Sequence, residues 1–376
     1  MPKKNILVLF GTRPEAIKLA PVIKELKNNL DFFNTTVCVT GQHREMLDQI
    51  LSFFEITPDI DLNLMTHNQS LTELTAKILL AIDSVIKNGN YDYIIVQGDT
   101  TTVYASAVAA FYNKIKIIHV EAGLRSFDFE HPFPEEFNRR SIASFTNIHF
   151  APSERALQNL LAENINPTKV WNVGNTVIDA LKYALPIVNK ENDTYQALFS
   201  QLNFNKPIVL VTGHRRENFG GPLKAICEAF INITQQNEVQ IVYPVHLNPN
   251  VKETVHQLLG GQKNIHLIAP LPYPQLIWLM NKSKLVITDS GGIQEEAPAM
   301  GKPVLVTREV TERKEVVESG NAIMVGNDTN KIVKFTTELL NNTELYHKMS
   351  SASNPYGDGY AALKMIEILK NIDQKN

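Results

Sequence analysis

The chain has 376 residues, of which 44% are apolar and 20% charged, and its formal net charge is −3. This length allows two globular domains, each with its own core. The near-neutral charge gives no reason to expect nucleic acid or an anionic membrane as a partner. The two cysteines, Cys38 in an apolar run and Cys227 in a helical one, lie outside any metal or redox spacing and are predicted to be core thiols in a reducing compartment. No apolar stretch reaches the length of a membrane span or signal peptide, so a cytoplasmic protein is expected.

Short β-rich runs alternate with helix-length amphipathic stretches along the whole chain. This alternation is typical of parallel sheets joined by crossover helices. Helices are predicted in the first half at 15–27, 71–87 and 102–112. The predicted strands are 6–10, 36–40, 93–97, 115–120, 148–150 and 169–173, followed by a second series at 208–212, 240–243, 265–268, 285–288, 304–306 and 322–325.

The two series of strands predict an α/β protein with two doubly wound, Rossmann-type domains. A polar segment at 189–206 reads as irregular, and we place the domain boundary near residue 170. The domains are then 1–170 and 171–360, with a final helix in 361–376 that could pack on either domain, including back on the first. Two such domains facing one another would put their strand carboxyl ends, where ligands collect, along a single cleft.

The most informative stretch is 288–306, which reads as strand end, glycine turn, helix and strand. Ser290 suits a helix cap, and Gly291 and Gly292 let the main chain approach a phosphate closely. Free N–H groups and the helix dipole at such a turn favour an anion. Glu296 follows about one helical turn later, where a carboxylate could take sugar hydroxyls. The stretch indicates a nucleotide-sugar site.

The first predicted strand also ends in a turn, Gly11-Thr12-Arg13-Pro14. Pro14 suits the first helical position, which would leave Arg13 and Lys18 as cations for a diphosphate or a leaving group. A solvated helix start is an equally good interpretation of these residues alone. The dinucleotide glycine pattern and the P-loop ending are both absent, which argues against a nicotinamide cofactor and a P-loop nucleotidase. No cofactor is predicted.

Three acidic residues follow strands or a loop of the first domain: Asp99, Glu121 and Glu135. Carboxylates at adjacent strand ends can act as general acids and bases. Singly, each is better explained as a helix cap or an arginine partner. Their convergence on one edge favours acid–base chemistry.

In the second domain, His214 follows a strand and could donate to a phosphate or shuttle a proton, although a packed surface histidine is the common alternative. His246 lies in another strand-end loop, and Arg313 is a candidate phosphate clamp. The histidines are too scattered to predict a metal site. No nucleophile elbow supports a serine hydrolase.

Nine motifs in order give the chain a family resemblance: GTRPEAIKLAPV, VQGDTTT, HVEAGLRS, PEEFNRR, GNTVIDAL, TGHRREN, YPVHLNPN, TDSGGIQEEAP and GKPVLV…TER. Together they resemble the non-hydrolysing bacterial UDP-N-acetylglucosamine 2-epimerases, from residue 6 to about 360. The resemblance implies a GT-B-like pair of Rossmann-type domains and a homodimer. It also implies interconversion of UDP-N-acetylglucosamine and UDP-N-acetylmannosamine without metal or NAD, supplying capsule or other cell-surface polysaccharide synthesis.

The resemblance also implies roles for individual residues. Ser290, Gly291 and Gly292 would take phosphate, and Glu296 the ribose hydroxyls. The remaining expected substrate contacts are Arg13, Lys18, Asp99, Glu121, His214 and Arg313, with Arg13, His214 and Arg313 on the diphosphate. UDP would leave carbon 1 as a proton leaves carbon 2, giving a bound glycal to which both return with inverted stereochemistry. Asp99, Glu121, Glu135 and His214 are the expected acid–base residues.

The chain departs from the family pattern at two places. Leu271 and Leu276 stand where the family often has a Gln and a Phe beside the uracil. Gln42 and His43 fit a second, activating UDP-N-acetylglucosamine site of some relatives. In that site, however, Glu45 replaces a Gln and Asn68 an Arg.

Three other functions share parts of this pattern. A hydrolysing relative would release UDP and free N-acetylmannosamine because water captures the glycal. A GT-B glycosyltransferase would use the same nucleotide site, but the carboxylates Asp99, Glu121 and Glu135 would then be surplus. A nucleotide-sugar-binding regulator would bind without proton exchange at the sugar. Because site residues match, and not only architecture, the epimerase is favoured.

Overall fold

The computed structural model of the chain describes residues 2–41, 44–64, 69–213 and 215–372. These residues form two compact units. The first unit comprises the described residues up to Ala180 and those from Tyr356 onward, and the second unit is Leu181–Pro355. Each unit is a parallel sheet with helices between successive strands, so the α/β prediction is confirmed.

The first unit contains a seven-stranded sheet in the order β3-β2-β1-β4-β5-β6-β7, and its strand pairs are parallel. The strands are β1 (Lys4–Phe10), β2 (Phe33–Val39), β3 (Ile60–Asp61), β4 (Tyr93–Gln97), β5 (Lys116–Val120), β6 (Ile148–Ala151) and β7 (Val170–Asn172). The helices are α1 (Arg13–Asn28), α2 (Arg44–Phe53), α3 (Leu71–Asn88), α4 (Thr101–Tyr112), α5 (Glu135–Ala143), α6 (Glu154–Ala162) and α7 (Thr176–Lys190), the last of which continues into the second unit.

The second unit contains a six-stranded sheet in the order β10-β9-β8-β11-β12-β13, again parallel. The strands are β8 (Ile208–Thr212), β9 (Gln240–Pro244), β10 (Ile265–Ile268), β11 (Leu285–Thr288), β12 (Val304–Val306) and β13 (Ala322–Met324). The helices are α8 (Asn192–Leu198), α9 (Gly221–Gln236), α10 (Pro249–Leu259), α11 (Tyr273–Lys282), α12 (Gly291–Ala299), α13 (Lys314–Glu318), α14 (Thr329–Asn341) and α15 (Thr343–Ser350). The final helix, α16 (Ala361–Asn371), belongs to the first unit.

The prediction of an irregular segment at 189–206 was wrong in part, because α7 extends to Lys190 and α8 occupies Asn192–Leu198. Tyr195 of α8 and Phe199 after it are buried, while Asp193, Thr194 and Gln196 are exposed. Both rings pack on Trp278 of α11, with ring centroids 5.9 and 5.5 Å apart. This contact, distant in sequence, stabilises the helix.

The division between the units comes after Ala180, later than the boundary near residue 170 that the sequence suggested. The reason is that β7 completes the first sheet and the first residues of α7 pack with it. Asp179 on α7 accepts hydrogen bonds from the backbone N–H groups of Ala361 (3.2 Å) and Ala362 (2.8 Å) at the start of α16. These bonds fix α16 to the first unit.

Each unit buries its own apolar core between sheet and helices. Cys38 and Cys227 are both buried, as expected of core thiols, and burial raises the pKa of each to about 12. In the described part of the chain, no helix is both long and apolar enough to cross a membrane.

Candidate active site

The turn after β1 is organised by a buried carboxylate. Thr12 and Glu15 form a capping box at the start of α1, as the sequence Thr-x-x-Glu favours. The Glu15 carboxylate accepts from the backbone N–H groups of Gly11 (2.9 Å) and Thr12 (2.7 Å) and from the Thr100 hydroxyl (2.7 Å). Burial raises the pKa of Glu15, although these hydrogen bonds act to lower it. Glu15 therefore joins the turn that carries Arg13 to the turn after β4.

Glu121, directly after β5, is held by a cation and an amide. Its backbone adopts the left-handed conformation, with φ 64°. Its Oε2 forms an ion pair with Lys18 Nζ of α1 and accepts from Gln97 Nε2 of β4 at 2.8 Å. The Lys18 and Glu121 side chains are 10% and 8% exposed, so the pair is desolvated and strongly oriented.

Asp99, after β4, is bound from α5. Arg139 Nη2 donates to Asp99 Oδ2 at 2.6 Å, and Asn138 Nδ2 donates to the Asp99 carbonyl at 2.8 Å. The Asp99 side chain remains 26% exposed. The Asp99 carboxylate is thus accessible to solvent, while the buried Arg139 side chain fixes its orientation.

The two acidic residues at the start of α5 differ in role. Glu136 is fully buried and accepts from the backbone N–H groups of Ser126 (3.0 Å) and Phe127 (3.1 Å). It therefore anchors the loop that follows β5. Glu135, one of the predicted acid–base residues, begins α5 and is half-buried.

These residues lie at one edge of the first sheet, because β1, β4 and β5 are neighbours and run parallel. We call this the carboxylate edge: the residues that follow these strands together with the start of α5. The predicted residues Asp99 and Glu121 follow neighbouring strands there, Lys18 of α1 contacts Glu121, and Arg13 and Glu135 begin α1 and α5. It adds Glu15, Gln97, Asn138 and Arg139, which were not singled out from the sequence; the signal for Arg139 was its place in the PEEFNRR motif.

The corresponding edge of the second unit is formed by the residues after β8, β11 and β12 with the start of α12, and we call it the glycine edge. Ser290 occupies the N-cap position of α12, but among the described residues its side chain makes no capping hydrogen bond, in contrast to the expectation. Its backbone N–H instead donates a hydrogen bond to Thr288 Oγ1 at 2.9 Å. A Cβ on Gly292 would meet no described atom within 4 Å. The helix start is therefore open to a ligand.

Arg313 lies against this helix start. A Cβ built on Gly291 would come within 3.1 Å of Arg313 Cζ, so the glycine makes room for the guanidinium. Arg313 Nε donates to Glu295 Oε1 at 3.0 Å, and Nη1 donates to Glu312 Oε1 at 2.7 Å. Two carboxylates therefore orient Arg313, which the sequence analysis predicted to be a phosphate clamp.

Glu312 connects several arginines of the glycine edge. Its Oε2 accepts from Arg308 at 2.8 Å, and Arg215 lies 3.7 Å from its Oε1. Burial alone would raise the pKa of Glu312, but Arg313 and Arg308 lower it to about 2. The carboxylate therefore stays charged and keeps the arginine side chains in place.

Asp289, directly after β11, fixes the loop that follows β8. Its Oδ2 accepts from the Arg215 backbone N–H at 2.9 Å and from Asn218 Nδ2 at 3.1 Å. The same Asn218 amide reaches the Thr307 carbonyl after β12 at 3.1 Å. Three strand ends are joined in this way, and Asp289 was not singled out as a site residue from the sequence.

Three further predicted residues lie on or near helices of the second unit. Leu271 and Leu276 are half-buried before and within α11, and Glu296 is buried in α12. His214, Gln42, His43 and Asn68 lie outside the described residues, as does the side chain of Glu45.

Two buried histidines underlie the carboxylate edge. His119 and His149 are register partners on β5 and β6, and burial lowers their pKa values to about 4 and about 3. Both are therefore neutral. His119 Nε2 lies 2.8 Å from the Gly98 carbonyl, which it can reach only as a donor. Within the described ranges, no three His, Cys, Asp or Glu side chains are grouped as metal ligands.

Two doubly wound parallel-sheet units, with charged side chains and a glycine-led helix at their strand ends, define a GT-B-like protein. The profile of the UDP-N-acetylglucosamine 2-epimerase family matches residues 24–370. The UDP-N-acetylglucosamine 2-epimerases of Yersinia pestis and Campylobacter jejuni are 50% and 51% identical to the chain. The alignments cover 98% of each chain for the first and 97% of each for the second.

A comparison with solved structures identifies the same family. The UDP-GlcNAc 2-epimerase of Neisseria meningitidis, crystallised bound to UDP-GlcNAc, is 45% identical and superposes with a TM-score of 0.92. That likeness covers 99% of this chain and 100% of the Neisseria chain. The chain belongs to the UDP-N-acetylglucosamine 2-epimerase family.

Proposed function

We propose that the chain interconverts UDP-N-acetylglucosamine and UDP-N-acetylmannosamine by reversible inversion at carbon 2, through elimination and re-addition of UDP. Family membership supports the epimerase activity. The observation that carries the mechanism is the pair of carboxylates at adjacent strand ends, Asp99 and Glu121. Each is held by its own cation, Arg139 or Lys18.

The nucleotide is proposed to bind at the glycine edge. The start of α12 offers backbone N–H groups and the positive end of the helix dipole, and Gly291 and Gly292 let phosphate oxygens approach closely. Arg313 supplies charge beside them, and Arg13 and His214 complete the set for the diphosphate. Glu296, one turn into α12, would accept from the ribose hydroxyls. Leu271 and Leu276 are assigned to the uracil.

The chemistry is proposed to be an elimination followed by its reverse on the other face. The bond from carbon 1 to the diphosphate oxygen breaks, and its electron pair leaves with UDP. The C2–H bond breaks, its proton passes to a carboxylate, and its electron pair forms the C1=C2 double bond of 2-acetamidoglucal. UDP then re-adds to carbon 1 as a proton is delivered to the opposite face of carbon 2.

Inversion needs acid–base groups on both faces of the sugar, which a single carboxylate cannot supply. Asp99, Glu121, Glu135 and His214 are the proposed groups. Lys18, paired with Glu121, would also stabilise negative charge that develops on the departing diphosphate. No cofactor is proposed, because acid–base groups and cations suffice for this balance of protons and electrons.

We further propose a cytoplasmic homodimer that supplies cell-surface polysaccharide synthesis such as capsule. The substrate chemistry supports this role, since a nucleotide-activated N-acetylmannosamine is a donor for glycosyl transfer. Gln42 and His43 remain the candidates for an activating nucleotide-sugar site.

The alternatives are a hydrolysing epimerase, which releases UDP and N-acetylmannosamine, and a GT-B glycosyltransferase. Phosphorus NMR of the purified protein with UDP-N-acetylglucosamine and no acceptor distinguishes them. The proposal predicts a new diphosphate signal from UDP-N-acetylmannosamine and no stoichiometric free UDP. Stoichiometric free UDP would replace the proposal with hydrolysis. An unchanged spectrum that responds only to an added acceptor would replace it with glycosyl transfer.

A further inference from the structure

The Asp99 carboxylate has one strong side-chain partner in the described structure, the guanidinium of Arg139. The Nη2 to Oδ2 distance is 2.6 Å, and the Arg139 side chain is only 5% exposed. A buried guanidinium against a partly exposed carboxylate is a charge-assisted hydrogen bond of high directional demand. It restricts which way the exposed part of Asp99 faces.

The backbone around Asp99 is fixed by other groups. His119 Nε2 donates to the Gly98 carbonyl at 2.8 Å, and the Gly98 N–H donates to the Val120 carbonyl at 3.0 Å. Asn138 Nδ2 donates to the Asp99 carbonyl at 2.8 Å. Removing Arg139 would therefore release the Asp99 side chain while leaving its main chain in place.

Arg139 in turn lies beside a second carboxylate, that of Glu136 on the same helix. Glu136 Oε2 lies 3.5 Å from Arg139 Nη1, and the Glu136 side chain is fully buried. Because Glu136 also accepts from two backbone N–H groups of the loop after β5, it is held in place by that loop. Contacts thus run from the loop to Glu136, from Glu136 to Arg139 as an ion pair, and from Arg139 to Asp99.

We propose that Arg139 is a positioning residue that directs the Asp99 carboxylate toward one face of carbon 2 of the sugar, so that it determines how protons are partitioned between the two epimers. This inference rests on the proposed function. Glu121 provides the contrast, because Lys18 of α1 and Gln97 of β4 hold its carboxylate, whereas Arg139 of α5 holds that of Asp99. Loss of Arg139 should therefore disturb proton transfer on one face only.

The test is made in heavy water with the full chain and UDP-N-acetylglucosamine. Proton NMR follows early deuterium incorporation at carbon 2 separately in recovered UDP-N-acetylglucosamine and in UDP-N-acetylmannosamine. The variants are Arg139→Met, which removes the charged guanidinium, and Arg139→Lys, which replaces it with a charged ammonium group. Since a displacement of about 1 Å can cost about 100-fold in rate, we expect the ratio of the two incorporations to change at least about 10-fold in Arg139→Met.

A merely structural role would lower both incorporations in proportion and leave their ratio unchanged, which would overturn the proposal. Arg139→Lys should lie between wild type and Arg139→Met in that ratio. If both incorporations in Arg139→Met fall below detection, Arg139→Lys decides, because an unshifted ratio there also overturns the proposal.

Two controls isolate the path through Asp99. Adding Arg139→Met to Asp99→Asn should change the ratio no further, because residues that act as a unit are non-additive; a further change contradicts the proposal. Arg140→Met removes the next arginine of α5, whose partner is Glu163 at 3.6 Å, and should leave the ratio as in wild type. If wild type itself incorporates no deuterium, the proposed function has failed, and not the assignment of Arg139.

Discussion

The two units have the same parallel α/β design but differ at their strand ends. At the carboxylate edge, acidic side chains are fixed one by one, Glu121 by Lys18 and Gln97, and Asp99 by Arg139. At the glycine edge, the acidic residue Glu312 serves instead to hold arginines. This difference fits the proposed roles, which are proton transfer at the carboxylate edge and anion binding at the glycine edge.

The helix starts show the same difference. In the first unit, the helices after β1 and β4 are closed by their own threonines, Thr12 and Thr100, whose hydroxyls accept from the first turn. In the second unit, α12 begins with glycines after Ser290, whose side chain takes no part in capping within the described structure. A side chain therefore caps the helices after β1 and β4, whereas Ser290 does not cap α12, whose first N–H groups suit an anion.

We expect the strongest loss of turnover from a substitution at Glu121. Glu121→Gln removes a proposed acid–base group but keeps the shape of the side chain. We expect turnover to fall by about 10²–10⁴-fold, while UDP affinity, assigned to the other edge, stays near wild type by calorimetry. Asp83→Asn, which breaks an exposed pair with Lys87, is the control and should leave turnover unchanged. Undiminished turnover in Glu121→Gln would remove Glu121 from the mechanism.

A second test concerns the glycine edge. Gly292→Ala adds a methyl group that meets no described protein atom within 4 Å, so the melting temperature should not fall. If a phosphate approaches this position, one charge-assisted hydrogen bond is weakened and the Kd for UDP rises about 10-fold. Gly221→Ala at the start of α9, with equally open surroundings, is the matched control. Equal UDP affinity in wild type and Gly292→Ala would place the phosphates elsewhere.

Acid should loosen the first unit before the second. The folded pKa of His149, lowered by burial to about 3, lies below the usual 6.5. The unfolded chain therefore binds more protons, and stability falls as pH drops below 6.5, by about 1 kcal/mol at pH 5.5. For Glu312, whose pKa is lowered from 4.5 to about 2, the loss begins only below pH 4.5.

His149→Phe should accordingly reduce the change in melting temperature between pH 7.5 and 5.5. His266→Phe in the second unit, where burial is partial, should reduce it less. Hydrogen exchange at the two pH values locates the effect. If wild type and His149→Phe lose the same melting temperature between the two pH values, His149 is not a source of the acid destabilisation.

The smallest expected effect concerns the attachment of α16. Asp179→Ala leaves the N–H groups of Ala361 and Ala362 without their acceptor, a loss of about 1 kcal/mol. Hydrogen exchange in α16 should then accelerate, with little change in the second unit. Asp358→Ala, which removes an exposed partner of Lys364, should have a smaller effect. Unchanged exchange in Asp179→Ala would show that other contacts hold α16.

Much of the fold could be predicted because a parallel strand buried on both faces is an uninterrupted apolar run, as in β4, β8 and β11. The helix α8 could not, since Asn192 and Asp193 are typical of a loop. Its stability comes from Trp278, more than 80 residues away in sequence. Local pattern carries no information about such a contact.

The candidate site likewise has residues that the sequence predicted and residues that it did not. Residues directly after strands, such as Asp99 and Glu121, were predictable because the carboxyl ends of neighbouring parallel strands share one edge. The partners that orient them were not, since Arg139 lies 40 residues after Asp99 and its approach depends on how α5 packs. The sequence identified the chemical groups, and the structure supplied their geometry.

The most direct test of the account is proton NMR of the wild-type protein with UDP-N-acetylglucosamine in heavy water, without cofactor or acceptor. We expect a growing UDP-N-acetylmannosamine signal with deuterium at carbon 2, because the carboxylates of the carboxylate edge exchange the proton with solvent. UDP-N-acetylmannosamine that retains protium at carbon 2, or tight binding with no new product, would contradict it.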